Sequence, residues 1–380
     1  MFKRTADTRI VDSTIPFTVL QQRLRYARQH PQHSYINLVE NIPRWPTLPP
    51  TGRELPSDLT DYAAAEGDAA LIDDICDRER ALHGVQVSPT QVLVTNGGMQ
   101  AASLAFRALA HEGAVALCQA PLLGSIGDLL RQAGFQLRFF ATENGHVSPQ
   151  ALEAQLAGVR LIYVNSPHNP TGEILTRAAW VTLAAAAAAR GAALVADAVY
   201  DTFVFDDGER GSPLEIIQDP KVPLFVINSM SKNHGMPGLR VGWVICRDEA
   251  AIQRMAGRFE SECISVSGPA QRRASELLRR GNTALVEHVR TGRAFLHTAL
   301  RGLPGVQVRA APGGTQLFVD LPVRDVEAFG DRVLMDLGLI LTTAAHYEGT
   351  TRQAIRLPTG APRSTLEAGL ALLVRGLERF

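Results

Sequence analysis

The sequence predicts an α/β protein: a large domain with a mostly parallel sheet covered by helices on both faces, plus a smaller α+β domain formed by the N-terminal arm and the C-terminal part. Three observations predict it. Short runs rich in Val, Ile and Leu alternate with helix-like stretches from about Val92 to Cys246. The chain then turns helical through about Leu303 and ends in a unit where strand and helix patterns mix. Its 380 residues, 46% of them hydrophobic and 20% charged, suffice for a sizeable globular core.

Taken in order, residues 1–50 are irregular, with Pro43, Pro46, Pro49 and Pro50 closing the segment. They read as an arm rather than an independent domain. Strand-like runs follow at residues 92–95, 114–118, 137–140, 161–164, 194–196, 224–227 and 241–246. Most are short and apolar throughout, as strands covered by helices on either side require. Residues 99–110 and 178–189 have helical patterns, the second rich in alanine through helix propensity. After the helical stretch come strand-like 306–308 and 316–321, a helix near 326–337, strand-like 340–342 and 355–357, and a final helix from Thr365. The expected division is an arm at 1–50, a large domain at 51–290 and a small domain at 291–380.

Lys+Arg and Asp+Glu both number 38, so the net charge is zero and nothing in the global charge favours nucleic acid or a membrane surface. Cys76, Cys118, Cys246 and Cys263 are scattered without a CxxC pair, as expected of thiols in a reducing compartment. The first residues lack the apolar core of a signal peptide, and no apolar run is long enough to span a bilayer. A cytoplasmic location and no metal site are the expectation.

The chemistry concentrates in Ser229-Met230-Ser231-Lys232, followed by Gly238-Leu239-Arg240-Val241-Gly242. Lys232 leaves an apolar run, where its amine is poorly solvated and able to attack a carbonyl. Ser229 and Arg240 offer a hydroxyl and a fixed cation that suit a phosphate. Amine chemistry beside phosphate recognition points to pyridoxal phosphate held as a Schiff base. Read alone, the same residues also fit a lysine capping a strand and an arginine in a surface ion pair.

This segment resembles the Schiff-base lysine signature of the class I/II aminotransferases, the family with the aspartate-aminotransferase fold. There the pattern is Ser-x-Ser/Ala-Lys and then Gly-x-Arg-x-Gly, with the arginine eight residues after the lysine, as Arg240 is after Lys232. The resemblance spans roughly residues 35 to 380. It implies that Gly98 and Met99, in Asn96-Gly97-Gly98-Met99-Gln100, lend backbone to the cofactor phosphate, with Ser229, Ser231 and Arg240 also binding the cofactor. Asn169, in Asn169-Pro170-Thr171-Gly172, matches the residue that donates to the phenolic oxygen. Asp197 ends an apolar run, a costly place for a charge without a cationic partner; the resemblance makes that partner the ring nitrogen. Tyr200, three residues on, matches the family tyrosine on the phenolic oxygen.

Tyr62 resembles the tyrosine that reaches the phosphate of a neighbouring subunit, and residues 267–271 resemble a segment near the dimer interface, so a homodimer with shared active sites is implied. Arg356, in Ala354-Ile355-Arg356-Leu357, matches the arginine that grips the substrate α-carboxylate, with Arg352 a rival for that role. Departures from the pattern are also present. Leu123 takes an aromatic position over the ring, and Thr315 stands where many relatives carry a large aromatic, implying a roomier or more polar pocket. Leu38-Val39-Glu40-Asn41-Ile42-Pro43 replaces a Gly-Glu-Pro segment, with Asn41 expected on the substrate side; Glu40 is read either as a solvated loop carboxylate or as a substrate-side group that would favour a basic amino acid such as an arginine or ornithine derivative. His234 is read either as a second acid/base or as a packing histidine.

The expected activity is amino transfer between an amino acid and a 2-oxo acid. The departures keep open a second reading, in which the same cofactor serves a cyclase, lyase, decarboxylase or oxidase. A cofactor-sensing regulator is disfavoured, because the sequence carries no helix-turn-helix extension or basic patch.

Overall fold

The computed structural model describes residues 23–24, 26–31, 34–39, 41, 43–47, 62–205, 211–309 and 311–380. Among these, fifteen strands follow one another along the chain. They are β1 (Ile36–Asn37), β2 (Val92–Thr95), β3 (Val115–Ala120), β4 (Leu122–Leu123), β5 (Gln136–Ala141), β6 (Val159–Asn165), β7 (Ala193–Asp197) and β8 (Leu224–Ser229). Then come β9 (Gly242–Cys246), β10 (Gln307–Val308), β11 (Gln316–Asp320), β12 (Leu339–Ile340), β13 (Thr342–Thr343), β14 (Tyr347–Glu348) and β15 (Ala354–Pro358).

Seven strands form the main sheet, in the order β2-β9-β8-β7-β6-β3-β5. All neighbours are parallel except β9, which runs antiparallel to both β8 and β2. This is the α/β sheet expected from the alternation of apolar runs. Helices Gly98–Leu109, Arg177–Arg190, Glu249–Cys263 and Gly268–Arg280 are among those that cover it. The central strand β8 is buried at every position, which is why its sequence reads as a continuous apolar run rather than an alternation. Helix Arg177–Arg190 starts where Thr176 accepts from the Ala179 amide and stops at Gly191 in the left-handed conformation.

The smaller sheet, β10-β11-β15-β13, is antiparallel throughout and packs with helices Thr283–Arg301, Val326–Leu337 and Arg363–Arg379. Leu38 from the N-terminal part joins its core, and β1 pairs in parallel with β12. A two-residue ribbon links the two halves: β14, from the small-sheet region, pairs antiparallel with β4, which follows β3 of the main sheet. The strand expected at 340–342 is interrupted instead, giving β12 and β13 on different sheets.

The return of β9 decides where the site forms. Gly242 lies opposite both Ser229 at the end of β8 and Thr95 at the end of β2. A Cβ on Gly242 would come within 2.5 Å of the Gly97 carbonyl carbon and 2.6 Å of the Gly98 nitrogen, so this position must be glycine for the turn after β2 to pack against it. Gly238, by contrast, faces open space. Gly242→Ala is therefore expected to lower unfolding free energy by about 1–3 kcal/mol through overpacking against backbone. Gly238→Ala is expected to change it by less than about 0.5 kcal/mol, and denaturant unfolding of the two variants distinguishes these outcomes.

Candidate active site

Strands β6, β7 and β8 run in parallel and in register, so their carboxyl ends deliver side chains to one edge, the position where α/β sheets bind ligands. Asn165 at the end of β6 lies beside Asp197 at the end of β7. The Asn165 amide donates to the Asp197 carbonyl at 2.8 Å, and its Oδ1 accepts the Asn169 backbone N–H at 2.6 Å. That local bond shapes the turn carrying Asn169, in which the bonds before Pro167 and Pro170 are cis. At the end of β8, the Ser229 side chain caps a single helical turn by accepting from the Ser231 amide, which swings Lys232 off the sheet edge.

These residues line a cavity of about 420 Å³ between the two halves of the molecule. Its wall includes Gly98, Met99, Leu123, Asn169, Asp197, Tyr200, Ser229, Ser231, Lys232, Arg240 and Arg356, which a sequence reading alone had singled out. Asp197 is half-buried there. Burial pushes its carboxyl up to about 6, opposed by the Tyr163 hydroxyl that donates to Oδ2 at 2.8 Å and by the Val199 amide. Lys232 Nζ donates to the Asn41 carbonyl at 2.9 Å. Burial also raises the phenol of Tyr200, which accepts a hydrogen bond from the Asn41 side-chain amide at 3.3 Å.

The side of the cavity next to the turn after β2 is built from backbone, short side chains and Arg240. Gly97 has φ 84° and precedes helix Gly98–Leu109, whose first amides have no side-chain cap. Arg240, itself in the left-handed region at φ 54°, donates to the Asn96 and Pro237 carbonyls, each at 3.0 Å. A side chain at Gly97 would strike its guanidinium, with a Cβ only 2.4 Å from Nη2.

Arg356 and Arg352 separate clearly. Arg352 is committed to Asp320 through two bonds of 2.8 and 2.6 Å. Arg356 reaches the cavity and is held by neutral acceptors: Tyr347 Oη at 2.9 Å, Asn169 Oδ1 at 3.3 Å and the Val39 carbonyl at 2.6 Å. Its Nε is buried without a hydrogen-bond partner among the described residues.

Other expected residues lie elsewhere. Thr315 and Asn41 are both buried and neither lines the cavity: the Thr315 hydroxyl donates to Asn41 Oδ1 at 2.8 Å, behind the wall. Tyr62 is 81% exposed and off the cavity of its own chain. Glu40 lies outside the described residues. His234 is buried and its imidazole pushed down to about 3 by burial, and it faces a second hollow rather than the Lys232 cavity.

The sequence reading missed four groups: Tyr163, Tyr347, Thr342 and the buried network behind Lys232. Tyr163 sits mid-strand, and only its apolar surroundings could have flagged a hydroxyl needing a partner. Thr342 lies opposite Arg356 across β13 and β15, lines the cavity and has a buried hydroxyl with no hydrogen-bond partner among the described residues. In the network, Asp201 accepts from Arg78 at 2.5 Å, Asn228 at 2.8 Å and Asn233 at 2.7 Å, fixing the turn that carries Lys232. His83 lies 3.3 Å from the same carboxylate.

A deep cavity between two domains, walled by the carboxyl ends of parallel strands, defines an α/β enzyme of the aspartate-aminotransferase type. The chain belongs to the aminotransferase class I and II family, whose sequence pattern matches residues 30–371. It is an aminotransferase acting on an amino acid, in a family that depends on pyridoxal phosphate. It is 40% identical to the L-aspartate:5-guanidino-3-methyl-2-oxopentanoate transaminase of Pseudomonas syringae pv. syringae, over 96% of this chain and 95% of that one. It is 36% identical to the 3-methylarginine biosynthesis aminotransferase ArgM of Streptomyces arginensis, over 96% and 97%. Its fold matches the crystal structure of aspartate aminotransferase from Thermotoga maritima with a TM-score of 0.84 at 24% identity, covering 100% of both chains.

Because Asp197 is raised from 3.8 to about 6, the cofactor-free folded chain binds more protons than the unfolded chain between those values. This group's contribution to stability therefore falls as pH rises through that window. His168 and His234, both pushed down to about 3, act in the opposite direction, so the readout is a difference. Cofactor-free Asp197→Asn is expected to gain thermal stability relative to the parent chain as pH rises from about 4 to 7. Parallel melting curves across that range would contradict the placement of this carboxyl.

Proposed function

We propose that this chain is a pyridoxal-phosphate-dependent aminotransferase in which Lys232 carries the cofactor and the amino-acid substrate bears a guanidinium-type side chain. The convergence of Lys232, Asp197, Asn169 and Arg356 on one cavity carries the cofactor and carboxylate assignments. The residues fit the group. Asp197 faces the cavity with neutral hydrogen-bond donors and a raised carboxyl, an arrangement that a cationic ring N–H beside it relieves.

Pyridoxal phosphate, when bound, supplies an aldehyde that condenses with amines and a ring that takes up the electron pair left at the substrate Cα. Asp197 would hold the ring nitrogen; Asn169 and Tyr200 would face the phenolic oxygen. The amides at Gly98 and Met99, the Ser229 and Ser231 hydroxyls and Arg240 would hold the phosphate. Leu123 would lie along the ring face. Arg356 has no ion pair among the described residues, so its charge is available to fork onto the α-carboxylate. Lys232 Nζ, held at the cavity by the Asn41 carbonyl, would take the proton released from Cα.

The substrate assignment rests on the two guanidino-acid relatives and on cavity chemistry. Val39, Leu122, Leu123 and Ile126 give an apolar wall for a methylene chain. Glu40, adjacent to Val39 in the chain, would supply the counter-charge for a guanidinium. The relatives named as transaminases favour amino transfer over the cyclase, lyase, decarboxylase and oxidase readings. Tyr62, exposed and off its own cavity, supports a homodimer in which it serves the neighbouring subunit, with residues 267–271 at the interface. Four unpaired cysteines support a reducing, cytoplasmic setting. No helix among the described residues is long and apolar enough to cross a membrane.

Lys232→Ala is expected to fold and to lose transamination by about a thousandfold or more, as removal of a proton-transferring group costs. Arg356→Lys is expected to raise KM for the amino acid about tenfold, because the bidentate fork is lost. Assays with arginine, ornithine, aspartate and leucine, and with the 2-oxo acid of arginine as acceptor, test the substrate. A guanidino acid that performs no better than leucine would sink that part of the reading.

A further inference from the structure

Asn169 carries two hydrogen-bond donors on the same oxygen. Its Oδ1 accepts from Tyr347 Oη at 3.0 Å and from Arg356 Nη1 at 3.3 Å. The same Nη1 donates to Tyr347 Oη at 2.9 Å, closing a triangle of three side chains. An amide has one acceptor end and one donor end. Occupying Oδ1 in this way fixes which end is which and leaves Nδ2 as the donor that Asn169 can offer to the cavity. Arg356 is fixed on the other side by the Val39 carbonyl.

Tyr347 is itself held on three counts. It lies on β14, opposite Leu123 on β4. Its ring packs edge-on against Phe318, with centroids 6.0 Å apart and planes at 64°. Its neighbour Glu348 forms a two-bond ion pair with Arg131 of the large domain. The hydroxyl is thus delivered to Asn169 and Arg356 by a ribbon with one strand in each half of the molecule. Burial raises this phenol, so it stays neutral and remains a proton donor. A phenylalanine would pack equally well, so packing alone does not account for the hydroxyl.

We propose that Tyr347 is a positioning residue for amino transfer: its hydroxyl locks the Asn169 amide with Nδ2 as the cavity donor and ties that amide to the carboxylate-binding Arg356. This rests on the assignments of Asn169 to the phenolic oxygen and Arg356 to the α-carboxylate. Tyr347, which also lines the cavity, acts in this role through Asn169 and Arg356.

The test uses the pyridoxal-phosphate-loaded enzyme and the variants Tyr347→Phe, Phe318→Leu, Asn169→Ala, Arg356→Lys and Tyr347→Phe/Asn169→Ala. Tyr347→Phe is expected to raise KM for the amino acid about fivefold or more. It is also expected to move the pH midpoint of the bound cofactor's absorbance titration upward by about half a unit or more, since a phenolic oxygen that loses an oriented donor holds its proton more tightly. The double variant should shift the midpoint no further than Asn169→Ala alone, because Tyr347 works through Asn169. Phe318→Leu, which disturbs packing but keeps the hydroxyl, should lower the melting temperature and leave the midpoint in place.

Unchanged KM and midpoint in Tyr347→Phe would overturn the proposal, as would a Phe318→Leu shift of equal size. If Tyr347→Phe fails to fold, Tyr347→Met, which also lacks the hydroxyl, replaces it: an upward midpoint shift that Phe318→Leu does not share supports the proposal, and an unmoved midpoint counts against it. Failure of the underlying assignments reads differently: Arg356→Lys would then leave KM unchanged, and Asn169→Ala would leave the midpoint unmoved.

Discussion

Register is the constraint on which the molecule depends. Three adjacent parallel strands end level with one another, and an antiparallel fourth returns into the same edge. A slip of one residue in β7 would turn Asp197 to the other face of the sheet. It would also break the bond from the Asn165 amide to the Asp197 carbonyl, on which the Asn169 turn is built. The apolar strands supply the energy that makes this register unique, since each is buried among neighbours on both faces. The polar residues at their ends are therefore placed by hydrophobic packing and then oriented by short local hydrogen bonds.

The two halves meet through small polar contacts. Asn41, from the N-terminal part, donates to Gln316 Oε1 at 2.5 Å, accepts from Thr315 and offers its carbonyl to Lys232. One residue thus reads the positions of the small sheet and of the lysine-bearing turn together. Gln316 in turn donates to the His168 carbonyl at 3.0 Å, touching the loop that precedes Asn169. The bonds among Asn41, Thr315, Gln316 and the His168 carbonyl are buried, where leaving a partner unmatched costs about 1–3 kcal/mol, so the arrangement of the halves is specified by satisfaction of polar groups as well as by apolar area.

Much of this was legible in the sequence because its signals were local. The strand at Val92–Thr95 and the helix at Val326–Leu337 coincide with the runs that predicted them, since apolar period and capping are written within each segment. Lys232, Asp197 and Asn169 could be picked out because each follows a strand-like run directly. What could not be read were facts of non-local pairing. β14 and β4 are two residues each, too short to carry a period, and form only because two distant segments meet. Tyr163 and Tyr347 look like core aromatics until the fold shows what their hydroxyls face. Thr315 is misleading for the same reason: its position relative to a motif gives no information on whether it points at the cavity or at Asn41.

The β4–β14 ribbon has a consequence for how such a protein can be re-engineered. Leu122 and Leu123 pair with Glu348 and Tyr347, and Glu348 reaches across to Arg131. The two strands are more than two hundred residues apart in the chain, yet Leu122, Leu123 and Tyr347 line the same cavity. A chimera assembled by cutting between the large and small domains would inherit each strand from a different parent. The junction to preserve is therefore a matched pair of dipeptides rather than a boundary in the sequence, and recombination that respects only chain order would mismatch it.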